Sequence, residues 1–197
     1  MVIVLATRNK KKVEEMKRMF SGCDVVFRTL DAFPDCAEVV EDGKTFRANA
    51  VKKAVAVARS TGCLALADDS GLAVVALGGA PGVFSARYAG ADADDVKNVK
   101  RVLREMRNLK ENSKREAQFL CCIALALPDG KHRTFTGYVI GFIGEKSKGY
   151  NGFGYDPIFY PVGEDRTFAE MDDAEKDSLS HRGKAMKKLY LYLKTVL

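Results

Sequence analysis

The first twenty residues constrain the fold more than any other stretch of the chain. The apolar run Val2 to Ala6 gives way to Thr7-Arg8-Asn9-Lys10-Lys11-Lys12, and then Val13, Met16 and Phe20 recur at helical spacing. Such a run bounded by a polar turn reads as a buried strand, and the period after it as a helix with Asn9 at its N-cap. A strand feeding directly into a helix opens an α/β arrangement, and the alternation continues. Val25 to Phe27 reads as a short second strand. Thr45 to Arg59 reads as a helix with Phe46, Ala50, Ala54 and Val57 on one stripe, stopped by Gly62. Leu64 to Ala67 reads as the next strand, ending in a turn at Asp68-Asp69.

The second half is different. Gly71 to Ala89 reads as irregular, because Gly78-Gly79-Ala80-Pro81-Gly82 suits neither a helix interior nor a central strand. Asp92 to Met106 is expected to be a helix capped by Asp92, with Val96, Val99 and Leu103 inward. Ala117 to Leu127 and Arg133 to Ile143 read as strands of an antiparallel hairpin turned by Pro128-Asp129-Gly130-Lys131. Leu179 to Leu193 reads as a closing helix. Strand–helix alternation followed by a hairpin predicts a mixed sheet flanked by helices.

With 197 residues, the chain is expected to form one domain, residues 1–197, of two closely packed lobes, burying roughly two-thirds of its unfolded surface. The longest uncharged run, Ser70 to Ala86, is broken by glycine and proline, so no membrane span is expected. The apolar N-terminal run precedes its charges and is short for a signal peptide, which makes a cytoplasmic protein the expectation. The five cysteines, at 23, 36, 63, 121 and 122, show no paired spacing. They read as reduced, buried small residues, with the neighbours Cys121 and Cys122 on opposite faces of a strand.

The net charge of +6 permits nucleic acid or a negatively charged small molecule as partner. Basic residues mixed with acids on helices, as in Arg101-Val102-Leu103-Arg104-Glu105, describe a solvated face. The run Lys10-Lys11-Lys12 says more, because it follows a strand. At a strand-to-helix turn, unpaired N–H groups and the helix dipole favour an anion, and Thr7, Asn9 and a lysine would complete a phosphate site. The alternative, that Thr7 and Asn9 only cap the helix, stands beside it. Lys53 lies four residues after Asn49 on nearly the same helix face.

Glu41 and Asp69 form a candidate metal pair, since magnesium takes hard oxygen ligands and keeps several waters. Asp68 and Asp69 are adjacent on a strand, so they face opposite ways and should not share one task. Equally, each could cap the following turn. In Gly152-Phe153-Gly154-Tyr155-Asp156-Pro157, glycines flank an aromatic ring and allow close approach to its face, which suits stacking on a base. Asp156 could accept from ring N–H groups. His181 and Arg182 could donate to carbonyl oxygens of a flat ring, and Lys176 could reach a sugar or phosphates. Phe159 reads as core and His132 as surface.

Taken together, these motifs resemble the family of non-canonical purine nucleoside triphosphate pyrophosphatases, also called inosine triphosphate pyrophosphatases, from Val4 to about Lys188. The resemblance assigns Thr7, Asn9, Lys12 and Lys53 to phosphate binding, and Glu41 and Asp69 to magnesium (Mg2+). Asp69 is also associated with activating water, and Asp68 is its active-site neighbour. Ser70, Phe153, Gly154, Tyr155, Asp156, Lys176, His181 and Arg182 fall to nucleotide binding. Arg8 stands where the family often has glycine or serine. The implied fold is α/β, an elongated mixed sheet flanked by helices, with two lobes and a central active-site cleft, usually as a homodimer. The implied reaction is magnesium-dependent hydrolysis of ITP, dITP or XTP to monophosphate and pyrophosphate. A triphosphatase of other specificity and a nucleic-acid-binding module are the rival readings. Nucleic acid is the less expected partner, because the carboxylates would repel its backbone.

Overall fold

The computed structural model describes residues 1–21, 24–91, 94–109 and 115–196. Among them, the strands are β1 (Val2–Leu5), β2 (Val26–Thr29), β3 (Leu64–Val74), β4 (Glu116–Ala126), β5 (His132–Ile143) and β6 (Phe159–Pro161). The α-helices are α1 (Lys10–Met19), α2 (Phe46–Thr61), α3 (Asp95–Glu105), α4 (Asp173–Leu179) and α5 (His181–Val196). The strands form one mixed sheet in the order β2-β1-β3-β4-β5-β6. β1 runs parallel to β2 and β3, and β5 antiparallel to β6. The Pro128–Lys131 segment turns the chain between β4 and β5, closed by the Leu127 N–H donating to the Lys131 carbonyl at 2.8 Å.

The chain divides into two compact units. The first comprises Met1–Asp69, Cys121–Gly137 and Arg182–Leu197. In it, β1 alternates. Ile3 and Leu5 share a core with Met16 and Phe20 of α1 and with Ala185, Met186, Leu189 and Leu193 of α5. Val4 shares another with Ala50, Ala54, Val57 and Ala58 of α2. The topology explains this two-sided cover. The crossover from β1 to β2 steps one way along the sheet, and that from β2 to β3 steps back past β1. Both being right-handed, they place α1 and α2 on opposite faces. Cys121 joins the α5 side and Cys122 the α2 side, as expected of strand neighbours. The four described cysteines are free thiols, and Cys23 lies outside the described residues.

The second unit, Ser70–Leu120 and Tyr138–His181, has its own core of Leu72, Val74, Val99, Val102, Met106 and a cluster of aromatic rings. Phe119 and Phe159 stand 4.6 Å apart between ring centroids, and Phe159 and Phe168 5.4 Å.

Three expectations are corrected. β3 does not end at Ala67 but runs to Val74, carrying Asp68 to Gly71 as strand residues. The sequence signal was misleading because two carboxylates and a glycine normally mark a turn. Here Gly71 is wanted for close approach, as a Cβ there would lie 2.2 Å from the Ser85 hydroxyl. Helix α3 begins at Asp95 with Asp94 as the cap, its carboxylate accepting from the Lys97 N–H at 3.0 Å. Asp92, the expected cap, lies outside the described residues. Asn98, Val99 and Val102 are buried on the inward face and Leu103 packs against the same core as expected, while Val96 is 60% exposed. The closing helix starts two residues later than expected, at His181, because Ser180 adopts an extended ψ of 159° and ends a separate short helix, α4, before it. No described helix is long and apolar enough to cross a membrane.

Candidate active site

In an open parallel arrangement, ligands gather at the carboxyl ends of strands where the winding reverses. Here that point lies between β1 and β3. Leu5 pairs with Leu66, and the Ala6 N–H donates to the Leu66 carbonyl at 2.7 Å. Asp68 and Asp69 therefore stand on β3 just past the end of β1, beside the turn that leads into α1.

The pleat sends the two carboxylates to different neighbours. Asp68 is fully buried and takes Lys12 Nζ at 3.0 Å and Arg182 Nη2 at 3.2 Å on its Oδ2. The Arg182 guanidinium, 2% exposed, also donates to Glu15 Oε2 at 2.6 Å through Nη1. Burial opposes charge on Asp68, but Lys12, Arg182 and Lys53 overcome it and hold the carboxyl far below its usual range. Burial likewise opposes charge on Arg182, and Asp68 and Glu15 restore it. This is a compact set of four charges, two of each sign.

Asp69 Oδ2 accepts from Asn49 Nδ2 at 2.9 Å, and the Asn49 side-chain Oδ1 in turn accepts from the Gly43 N–H at 2.7 Å. Lys53 Nζ bridges Glu41 Oε2 at 2.9 Å and the Asp68 backbone carbonyl at 2.7 Å. Asn49 and Lys53 thus share a face of α2, as their spacing implied, and that face is buried rather than solvated. Burial raises Asp69 to about 6, the Glu41 charge adds to the rise, and Lys53 and Asn49 only partly offset it.

Helix α1 starts as expected, with the Asn9 side chain accepting from the Lys12 N–H at 3.2 Å. Thr7 Oγ1 accepts from the Asn9 N–H at 3.2 Å. Asn9 caps the helix and Thr7 braces the cap residue, and the turn they shape leaves Arg8, Asn9 and Lys10 exposed.

In the second unit, Asp156 organises the aromatic loop. Its Oδ2 accepts from the Phe153 N–H and from Lys176 Nζ, each at 2.8 Å. That oxygen faces the chain and its lysine, which gives Asp156 a role in holding the loop. Lys176 Nζ also sits 4.8 Å from the centre of the Phe153 ring. Gly152 has φ +73°, and a Cβ there would lie 2.2 Å from Asp156 Oδ2. The Tyr155 hydroxyl donates to the Ser85 carbonyl at 2.8 Å, and the Gly154 N–H to Asp95 Oδ2 at 2.8 Å.

His181 is stacked on Phe119 with ring centroids 4.6 Å apart and planes nearly parallel, at 7°. Consecutive at the start of α5, His181 and Arg182 therefore diverge, one to an aromatic wall and the other to Asp68 and Glu15. Ser70 follows Asp69 on β3 and is half-buried. Glu15, Asn49 and Asp95 were not anticipated as site residues. Glu15 had one legible signal, a carboxylate one position before Met16 on the inward side of α1. Asn49 was legible only as the residue one turn before Lys53.

A model of the Ham1 family matches residues 3–192 of the chain. The dITP/XTP pyrophosphatase of Desulforamulus reducens is 50% identical over 188 residues, covering 95% of this chain and 93% of that one. That of Geobacter sulfurreducens is 47% identical over 184 residues, 93% and 92% of the two chains. Among solved structures, a HAM1 protein from Coxiella burnetii superimposes with a TM-score of 0.90 at 41% identity, over 99% of each chain. The Staphylococcus aureus Ham1 protein gives 0.89 at 38% identity, over 100% of each.

Proposed function

The chain belongs to the Ham1 family, and from that membership we propose that it hydrolyses dITP, ITP and XTP to the nucleoside monophosphate and pyrophosphate. The observation that carries the reading is the paired environment of Asp68 and Asp69 at the β1/β3 switch point. One carboxylate is locked as an anion among cations, and the other is poised near neutrality beside a second acid.

Glu41 and Asp69 fit a divalent metal. Both offer hard oxygen, and they stand close enough for one charge to disfavour the other. No cluster of three or more His, Cys, Asp or Glu metal ligands forms among the described residues, so the protein would supply a pair and leave room for phosphate oxygens and water. When bound, Mg2+ would neutralise charge on the phosphate oxygens.

The chain's own residues divide the remaining work. Lys12, Lys53, Thr7 and Asn9 hold the triphosphate, the two lysines as fixed positive charge around the leaving pyrophosphate. Asp69 takes the proton of the attacking water. The water oxygen bonds to the α-phosphorus, the bond from that phosphorus to the α–β bridging oxygen breaks, and pyrophosphate leaves with the electron pair. The Asn49 amide, donating to Asp69 Oδ2 at 2.9 Å, fixes the carboxylate for that transfer. Asp68 keeps Lys12 and Arg182 in place. Phe153 stacks on the base, Lys176 and His181 assist it, and Ser70, Gly154 and Tyr155 complete the nucleotide contacts. The substrate is a small molecule of the cytoplasmic nucleotide pool, and the assembly is a homodimer.

Product analysis over ITP, dITP, XTP, ATP and GTP with and without magnesium is the test. Pyrophosphate released preferentially from the first three supports the reading. Stepwise release of inorganic phosphate, or equal turnover of ATP, overturns it.

A further inference from the structure

The Phe153 loop is held from two sides. Asp156, within the loop, accepts from the Phe153 N–H at 2.8 Å. Asp95, on a separate helix, accepts from the next N–H, that of Gly154, also at 2.8 Å. Gly152 and Gly154 both take positive φ, +73° and +62°. Two such residues around one ring leave its direction poorly determined by the backbone alone, since glycine has the most freedom to lose on ordering. Two consecutive amides caught by two carboxylates remove that freedom.

The rest of the neighbourhood is built to keep Asp95 and the loop in register. Asp95 is the first residue of α3, where a negative charge is favoured by the helix's positive end. Asp94 caps that helix, and the buried Asn98 ties it to the preceding segment through the Ala86 carbonyl at 3.1 Å and the Ala89 N–H at 2.6 Å. One residue past Gly154, Tyr155 anchors to the Ser85 carbonyl, and the Ser85 hydroxyl accepts from the Leu72 N–H of β3 at 2.9 Å. The loop is thus fastened to α3 and β3 at successive residues.

We propose that Asp95 is a positioning residue for base recognition: through the Gly154 N–H it presets the Phe153 ring for stacking. It rests on the proposed reading of Phe153 as the base platform. Asp95 touches no reacting atom. Its effect is to lower the ordering cost of binding a base, which raises affinity for every nucleotide carrying a flat ring and leaves the phosphate chemistry alone.

The experiment is a double-mutant cycle on the magnesium-loaded protein, reading KM and kcat for ITP and inhibition by inorganic tripolyphosphate, which has no base. Asp95→Ala is expected to raise KM for ITP by about 5-fold, with kcat changed less than about 2-fold. The tripolyphosphate inhibition constant should not move. Asp95→Asn, which keeps an acceptor oxygen, should recover most of the loss. In a Phe153→Ala background, Asp95→Ala should have no further effect on KM. If the same KM loss appears in that background, or tripolyphosphate weakens in parallel, Asp95 acts only on the fold and the inference is overturned. If Phe153→Ala alone leaves KM for ITP unchanged, the base-platform reading itself fails, and the inference with it. Thermal unfolding of each variant separates a positioning loss from a folding defect, with Asp95→Asn as the control that preserves the cap region.

Discussion

Asp68 and Asp69 are neighbours in sequence, but their acidities are driven in opposite directions. Asp68 lies among Lys12, Arg182 and Lys53 and is held far below the ordinary carboxylate range. Asp69 lies beside Glu41 and is raised from 3.8 to about 6. The pleat of β3 is the cause, since it gives adjacent side chains different surroundings.

This sets opposite pH dependences of stability. A carboxyl raised by folding favours the native state at pH below its unfolded value, and that favour is lost as pH rises through the folded value. For Asp69 the window runs from about 4 to about 6. Asp69→Asn is therefore expected to make the metal-free protein more stable than wild type at pH 7, by at most about 3 kcal/mol or several degrees in Tm. Below pH 4 the advantage should vanish. Asp68 behaves in the other sense: its contribution is present above pH 4 and lost on acidification. Melting curves from about pH 2 to 8 in chelator check both signs. An Asp69→Asn protein less stable than wild type at pH 7 would refute the assignment.

Metal dependence gives a second expectation. If Glu41 and Asp69 hold Mg2+, magnesium should raise the Tm of the wild type, and more so at pH 7 than at pH 5, where a proton competes for Asp69. Glu41→Gln should raise the magnesium concentration needed for half-maximal rate and lower the rate itself. Asp69→Asn should abolish the metal-induced shift and cut turnover by roughly 100-fold or more. An unchanged magnesium requirement in Glu41→Gln would remove Glu41 from the metal shell.

Arg182 carries a third. Its guanidinium donates to Asp68 and Glu15. Breaking a buried charge pair by deleting one partner costs about 3–5 kcal/mol. Arg182→Ala should therefore lower Tm and reduce turnover of ITP and XTP by the same factor, because it releases Lys12 and Asp68 from their arrangement. Glu15→Gln, which keeps a hydrogen-bond acceptor but loses the charge, should do the same more mildly. The ratio of kcat/KM for ITP over ATP should stay constant in both. A collapse of that ratio in Arg182→Ala would show that the guanidinium reads the base directly.

The contrast between what was legible and what was not follows from the reach of each signal. Local patterns located β1, α1, α2, the hairpin and the cap Asn9, because strand and helix periods and cap chemistry act within a few residues. The opposed faces of Asp68 and Asp69 were equally legible, since a pleat needs no tertiary context. The length of β3 was not, because its continuation past Ala67 rests on pairing with a strand some fifty residues on, which outweighs the turn propensity of Asp and Gly. Glu15 and Asp95 escaped notice for a related reason. A single carboxylate on a helix has no pattern of its own, and their partners, Arg182 and Gly154, lie 167 and 59 residues away in sequence.

Gly152 offers the most local test of the aromatic loop. It combines φ +73° with an Asp156 carboxylate oxygen 2.2 Å from where a Cβ would sit. Gly152→Ala therefore suffers twice, from a backbone conformation that an L-residue resists by about 1–2 kcal/mol and from a clash that cannot be relieved without moving Asp156. Asp156 cannot move freely, because the same oxygen holds the Phe153 N–H and Lys176. The loop must then shift, and the ring with it. Expected are a Tm lower by several degrees and a KM for ITP raised about 10-fold, with tripolyphosphate inhibition unaltered. Asp156→Ala in the Gly152→Ala background removes the obstructing oxygen and should recover part of the stability, though not the KM, since the Phe153 N–H and Lys176 lose their acceptor. If Gly152→Ala weakens tripolyphosphate as much as ITP, the damage has spread to the phosphate end, and the loop is not the self-contained base platform that its hydrogen bonds describe.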